Sequence, residues 1–403
     1  MKILHILPGF ELGYPGGITL YVKNLALQQV AKGETVSVLC SPPEEYAFPE
    51  EIKCLSYKIP RHEVFSFGLI DNRSIDADCI GEILNDGYDV IHVHTILGLS
   101  FGFLNSVMNM GIPYFFSVHD YYSFCPRVFM LDRSGDVCRK FEIERCAACV
   151  GLLDQFNFVR IFSARSGLHF PFRSNLVQNR VRKLSAFFRK ASRIVAVSKR
   201  VEQLFLEAYP ECNTVVINIG NASAEWDVPI KSVSDKIRAV FLGTLNRHKG
   251  ADLFARFINE CGRNDVEFHF YGRASKDSQS VLKLPGVVDH GSYSPENLPE
   301  ILSNSDFGMI LPIWEDNGPQ VVMEILNSGT PILATKVGGI PDFVKEECGF
   351  LFDPDSEVGF QSALSWIRSI SKKDIIRMGH GIGKTKNLSQ HAQDIRLLYE
   401  GAW

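Results

Sequence analysis

Two doubly wound parallel sheets, each in its own Rossmann-like α/β domain, are predicted by three observations. Apolar and β-branched runs at 2–7, 35–39, 90–93, 114–118 and 194–197 are spaced widely enough for crossover helices, as parallel strands buried on both faces require. A second set at 239–242, 267–271, 307–311, 331–334 and 349–352 repeats the pattern. A chain of 403 residues also exceeds what one hydrophobic core usually supports. Residues 1–219 therefore read as the first domain and 236–385 as the second, joined by a polar hinge at 220–235 where Ser and Asp replace the apolar runs.

Composition narrows the function. Hydrophobic residues at 45% and charged residues at 22% fit a globular chain, and a net charge of −4 argues against coating nucleic-acid phosphates, so no nucleic acid is expected as a partner. Met1-Lys2 leads straight into an apolar run that ends at Pro8 with no small-residue cleavage site, so a cytoplasmic location is expected. The stretch 90–118 has no Asp, Glu, Lys or Arg and exceeds the roughly 20 residues of a spanning helix. Its His92, His94, Asn105, Asn109 and Gly111-Ile112-Pro113 instead suit two buried strands around a helix.

The first strand is followed by Gly9, Gly13, Gly16 and Gly17, then by a helix opened by Ile18, Leu20 and Tyr21. Glycines there let backbone approach a ligand at the carboxyl end of the sheet, although a plain tight turn fits equally and the spacing is not a dinucleotide fingerprint. The strands ending at 93 and 118 bring His94 and His119-Asp120 to the same carboxyl edge. For His94 a hydrogen-bonded structural role weighs as much as a ligand contact. Residues 121–150 leave the sheet pattern and carry Cys125, Cys138, Cys146 and Cys149. The Cys146-Ala-Ala-Cys149 gap is that of a zinc knuckle, which Cys125 and Cys138 would complete, and buried unlinked thiols are the alternative. From 155 to 193 no acid occurs, while Arg173, Arg180, Arg182 and Lys183 mix with Phe170, Phe172, Phe187 and Phe188. Such a surface suits anionic lipid and would take the protein to the inner face of the plasma membrane; a solvated helix face with its Phe residues in the core is the plainer reading.

In the second domain, the loop Gly243-Thr244-Leu245-Asn246-Arg247-His248-Lys249-Gly250 joins a strand to a helix. A Lys at that entrance neutralises a diphosphate leaving group, or is simply a surface lysine. Gly272-Arg273 and His290 end the next runs. The stretch 311–342 then supplies a loop with Glu315, Asp316, Asn317, Gly318 and Pro319, a helix, a strand and a Gly338-Gly339 turn. Pro319 suits a first helical turn, and the amides near Gln320, Val321 and Val322 form an end that attracts phosphate. Asp316 and Glu324, eight residues apart, flank that end and point to a sugar nucleotide.

The acid-x7-Glu spacing resembles the signature of retaining glycosyltransferases of family 4, as do Asn317-Gly318-Pro319, Ser328-Gly329-Thr330-Pro331 and Gly338-Gly339-Ile340-Pro341. That family has the GT-B fold, two Rossmann-like domains facing a central cleft. The resemblance implies transfer of a hexose from a nucleoside diphosphate sugar to a glycan or lipid-linked glycan acceptor, with retention and with no cofactor or divalent ion for catalysis. It implies that Gly16 and Gly17 lie near donor phosphate and acceptor, that His119 holds the reacting sugar or acceptor, and that His94 and Asp120 lie on the acceptor side. Lys249 falls on the diphosphate, Glu324 on the ribose, and Gly272, Arg273 and His290 on the base. The last helix is expected to return to the first domain. Thr244 stands where the family commonly has Arg, which makes Arg247 the candidate substitute. Asp316 stands where it commonly has Glu, with Glu315 beside it as the other candidate acid. The four-cysteine insert resembles that of a subset building O-antigen, capsule or exopolysaccharide. A same-fold phosphorylase or epimerase, or a non-catalytic partner subunit, is the alternative.

Overall fold

A computed structural model describes residues 1–7, 17–41, 48–59, 71–150 and 174–401. Gly16 and the 155–173 part of the basic segment lie outside the described residues. The chain forms two compact units, 1–218 with 388–403, and 219–387. Residues 220–235 thus cluster with the second unit.

The first unit is built on seven strands: β1 (Lys2–Leu7), β2 (Thr35–Cys40), β3 (Lys53–Ser56), β4 (Val90–Val93), β5 (Tyr114–Val118), β6 (Arg193–Ala196) and β7 (Thr214–Val216). Their order is β3-β2-β1-β4-β5-β6-β7, with every pairing parallel. β4 and β5 are buried at every position, as expected of strands covered on both faces. The two edge strands carry no readable period: in β3 only Leu55 is buried, and all three residues of β7 are half-buried. Helix α1 (Gly17–Ala31) follows β1, α2 (Ile143–Cys149) lies in the cysteine insert, and α3 (Ser174–Lys190) precedes β6. The terminal helix runs Leu388–Tyr399. It buries His391, Ala392, Ile395 and Leu398 within the first unit.

Helix α3 takes three residues of the basic, aromatic segment, Arg180, Phe187 and Phe188, into the core. Phe187 and Phe188 are fully buried in the core. Arg180 is 4% exposed and donates from its guanidinium to the carbonyls of Tyr122 (2.5 Å) and Ser123 (2.9 Å). It also lies over the Tyr122 ring at 4.8 Å. A buried cation with two carbonyl acceptors holds the insert to the helix, while Arg182, Arg189 and Lys190 of the same helix stay exposed. No helix among the described residues is long and apolar enough to cross a membrane.

The second unit has six strands, β8 (Ile237–Leu245), β9 (Val266–Ala274), β10 (Val287–Asp289), β11 (Phe307–Ile310), β12 (Ile332–Thr335) and β13 (Gly349–Phe352). They run parallel in the order β10-β9-β8-β11-β12-β13. Helix α4 (Ala251–Glu260) presents Phe254 and Phe257 to one apolar layer, and α5 (Gln320–Asn327) presents Val322 and Ile325 to the other. Glycines read as the ends of β8 and β9 lie inside those strands. Gly243 and Gly272 are register partners with φ of 106° and 149°. A Cβ on Gly272 would sit 1.7 Å from the Gly243 carbonyl oxygen, so the two backbones touch where side chains would otherwise end the pairing.

Candidate active site

In an open α/β sheet, ligands bind beyond the carboxyl ends of the strands where the order reverses. In the second unit that reversal falls between β8 and β11, and the loops after these two strands carry Lys249 and Asp316. The Lys249 ammonium lies 2.6 Å from Asp316 Oδ2 and 5.1 Å from the Trp314 ring centroid. The Asp316 side chain is 10% exposed and that of Lys249 36%, so the pair is sheltered but open on the lysine side.

Local geometry fixes the lysine. Residues Arg247–Lys249 form a single 3-10 turn, capped by the Asn246 side chain, which accepts from the Lys249 N–H at 2.9 Å. Gly250 then adopts φ 90° with its Cα packed on Leu311; a Cβ would lie 1.9 Å from the Leu311 carbonyl oxygen. The His248 carbonyl accepts from the Ile313 N–H at 3.0 Å, which ties the turn to the chain leaving β11. Gly250→Ala is therefore expected to lower stability by about 2 kcal/mol or more, since left-handed φ and a backbone clash act together. An unchanged urea midpoint would contradict this account of the turn.

The two adjacent acids face different partners. Glu315 is 2% exposed and accepts from the Gly338 N–H at 3.1 Å. The Asp316 carbonyl accepts from the Gly339 N–H at 2.7 Å, while its carboxylate holds Lys249. Gly338 (φ 56°) has no room for a Cβ, which would fall 2.0 Å from the Asp316 carbonyl oxygen. The Gly-Gly turn is thus a clamp on the acid pair. Asn317 and Gly318 are half-buried, Pro319 is buried, and α5 begins at Gln320. The Val322 N–H closes on the Pro319 carbonyl at 3.1 Å, so Gln320 and Val321 are the residues whose amides open the helix. Glu324 is half-buried, and burial pushes its carboxyl above the usual range, against a lowering hydrogen bond from Asn221. Asn221 also meets the Gln320 side chain, a link that sequence reading missed because the residue lies in the polar stretch read as hinge.

At the ends of β9 and β10, His290 stacks on Tyr271 with ring centroids 4.1 Å apart and 1° between planes. His290 meets His269 at 3.0 Å, and Arg273 donates to the Ser292 hydroxyl at 3.2 Å. Gly272, Arg273 and His290 therefore fall together on one edge of the sheet. Tyr271 joins them, and its place one residue before Gly272 was the available signal.

The first unit has its order reversal between β1 and β4. Gly17 opens α1 there with no neighbour within 4 Å of a Cβ position. His5 of β1 is in register with His92 of β4, and a buried chain of hydrogen bonds runs through the histidines. Gln29 Oε1 meets His5 Nε2 at 2.7 Å, His5 Nδ1 meets His94 Nε2 at 2.8 Å, and His94 Nδ1 meets His119 Nε2 at 3.2 Å. A carboxamide oxygen only accepts, so His5 carries its proton on Nε2 and each neutral ring donates to the next toward Gln29. With the Gln29 amide in this orientation, His119 is the Nε2–H tautomer. Among the described residues, His5, His92 and His94 are a group whose ligand atoms lie within 4.8 Å. Two nitrogens on one tetrahedral zinc would stand roughly 3.3 Å apart, so the 2.8 Å His5–His94 contact is a hydrogen bond. Asp120 spends both oxygens internally, accepting from the Thr95 hydroxyl and the Tyr122 N–H, each at 2.8 Å. His391 of the terminal helix, unnoticed in the sequence, meets the Tyr21 hydroxyl at 2.8 Å.

Burial lowers His5 to about 4 and His119 to about 3. Both bind a proton near pH 6.5 in the unfolded chain, so their folded pKa values are depressed. The stability they confer is complete above pH 6.5 and is lost as pH falls toward the folded values, at about 1.4 kcal/mol per pH unit for each. Ring NMR signals of His5 and His119 should not titrate between pH 5 and 8, while the urea midpoint falls below pH 6.5. A titration of either ring near 6.5 would contradict the buried chain.

The model of "Glycosyltransferase Family 4" matches residues 15–220, and that of "Glycosyl transferases group 1" matches 236–369. A 124-residue stretch, 30% of the chain, is 24% identical to Sulfoquinovosyl transferase SQD2 of Arabidopsis thaliana and spans 24% of that protein. The solved HepE of Anabaena in complex with UDP superposes with a TM-score of 0.67 at 15% identity over 100% of both chains. Sucrose-phosphate synthase from Thermosynechococcus elongatus gives a TM-score of 0.61 at 14% identity over 100% of this chain and 98% of its own. At such identity these structures show the fold, two parallel-sheet Rossmann-like units of GT-B type.

Proposed function

The chain belongs to glycosyltransferase family 4, and from that premise we propose that it is a retaining hexosyltransferase that moves a sugar from a nucleoside diphosphate donor to a glycan or lipid-linked glycan hydroxyl in surface-polysaccharide assembly. The observation that carries the reading is the Lys249–Asp316 pair at the order reversal of the second sheet, beside the amide end of α5. When the sugar leaves, negative charge grows on the diphosphate. A fixed ammonium and oriented N–H groups stabilise that charge without having to reorganise, which is the largest catalytic contribution available to a site of this kind. No divalent ion is required in this scheme.

Asp316 holds Lys249 in place and accepts hydrogen bonds from the transferred sugar. Glu324 takes the ribose, and Tyr271 with His290 offers the base a flat face. Arg247 adds charge in place of the usual arginine at Thr244. In the first unit, the neutral Nε2–H tautomer of His119 is assigned to the sugar or acceptor. Gly17 and His94 support that side, and Asp120 shapes the turn after it.

A structural neighbour bound to UDP-glucose supports a uridine nucleotide as the first donor to test. In a thermal-shift screen of UDP, GDP and their hexose derivatives, one set is expected to stabilise the protein by about 2.7 kcal/mol at a hundredfold excess over Kd. Nucleoside diphosphate should then appear only when an acceptor is added. No shift with any donor would sink the reading and favour a non-catalytic subunit.

A further inference from the structure

Outside this site, the insert between β5 and α3 gathers Cys125, Cys138, Cys146 and Cys149, none of them in a disulfide, which line one small cavity. Three local devices bring them there. The turn after Cys125 places Val128 and Met130 at φ 71° and 53°, a region non-glycine residues rarely enter. It directs the N–H groups of Arg127 and Met130 at the Cys125 sulfur. A short hairpin follows, bridged at Leu131 and Val137, in which the Cys138 N–H donates to the Met130 carbonyl at 2.7 Å. Helix α2 then presents Cys146 and Cys149 three residues apart, on one face.

The rest of the cavity wall explains what these thiols are for. Arg127, Lys140 and Arg145 line it, and no acid does. Burial pushes the Cys125, Cys138 and Cys146 thiols up, while the amides aimed at Cys125 and the arginines beside Cys138 act in the other direction, as they would on a metal-bound thiolate. The apolar cluster under α2 is small, Ala147, Val150 and Val177 with Ile143 packed against it. A segment this small usually needs a staple.

We propose that the insert binds one structural Zn2+ through Cys125, Cys138, Cys146 and Cys149. Four thiols lose their protons, four Zn–S bonds of about 2.3 Å form, and the doubly negative tetrathiolate is balanced by the surrounding cations. In the present conformation these sulfurs are not among the groups with three ligand atoms within 4.8 Å in the described residues, so binding draws them together. The inference is independent of the donor site.

Full-length protein purified under reducing conditions without chelator should contain about one zinc per chain. Reconstitution of metal-free protein with Co2+ should give the absorption of a tetrahedral thiolate site. Cys146→Ser with Cys149→Ser should lose both signals. If that variant does not fold, the cobalt spectrum of the unaltered protein still decides. Absence of stoichiometric metal after zinc reconstitution, a cobalt spectrum without thiolate bands, or iron in place of zinc would each overturn the assignment.

Discussion

Replacing Lys249 with Ala is expected to lower kcat by about 10²- to 10³-fold, the usual cost of removing one preorganised group that stabilises transition-state charge. The substitution also strands Asp316, whose side chain is 10% exposed, without its cation 2.6 Å away. Leaving one partner of a sheltered ion pair unpaired destabilises the fold, so a loss of activity alone would be ambiguous. The double variant Lys249→Met with Asp316→Asn removes both charges and should recover most of the lost stability. It should recover none of the activity. Recovered stability together with recovered turnover would mean that the pair is only structural.

Asp316→Asn carries the second large effect. The neutral amide keeps the shape but loses its ion pair with Lys249 and a charged acceptor for sugar hydroxyls, a loss of about 10- to 100-fold in kcat/KM. Glu315→Gln separates the two acids. Its carboxylate is buried against the Gly338 N–H at 3.1 Å, so its change should lower thermal stability more than it lowers kcat/KM in the protein that remains folded. The reverse order, with Glu315→Gln abolishing turnover and Asp316→Asn leaving it intact, would reassign the sugar-binding acid.

Much of this was legible in the sequence because strand burial and phosphate chemistry are local. The central strands announce themselves as apolar runs, and Pro319 followed by a helix marks an anion-attracting end whatever surrounds it. The edge strands β3 and β7 did not, since an edge position leaves one side to solvent and erases the pattern. The separate tasks of Glu315 and Asp316 could not be read either. They depend on which side of a turn each carboxylate meets, Gly338 or Lys249, and those partners lie 23 and 67 residues away. The histidine chain was hidden for the same reason: His5, Gln29, His94 and His119 come from four elements, and only the sheet register aligns them. Arg180 shows the converse error, a cation that sequence context assigned to a surface and that two buried carbonyls claimed.

Hydrogen exchange of the full-length protein with and without the stabilising nucleoside diphosphate tests the central claim most directly, because it maps where the ligand sits. The account predicts slowed exchange in the Asn246–Gly250 turn and at the start of α5, around Gln320 and Val321, with the same segments unprotected in Lys249→Ala. Protection elsewhere, with both of these segments unchanged, would contradict it.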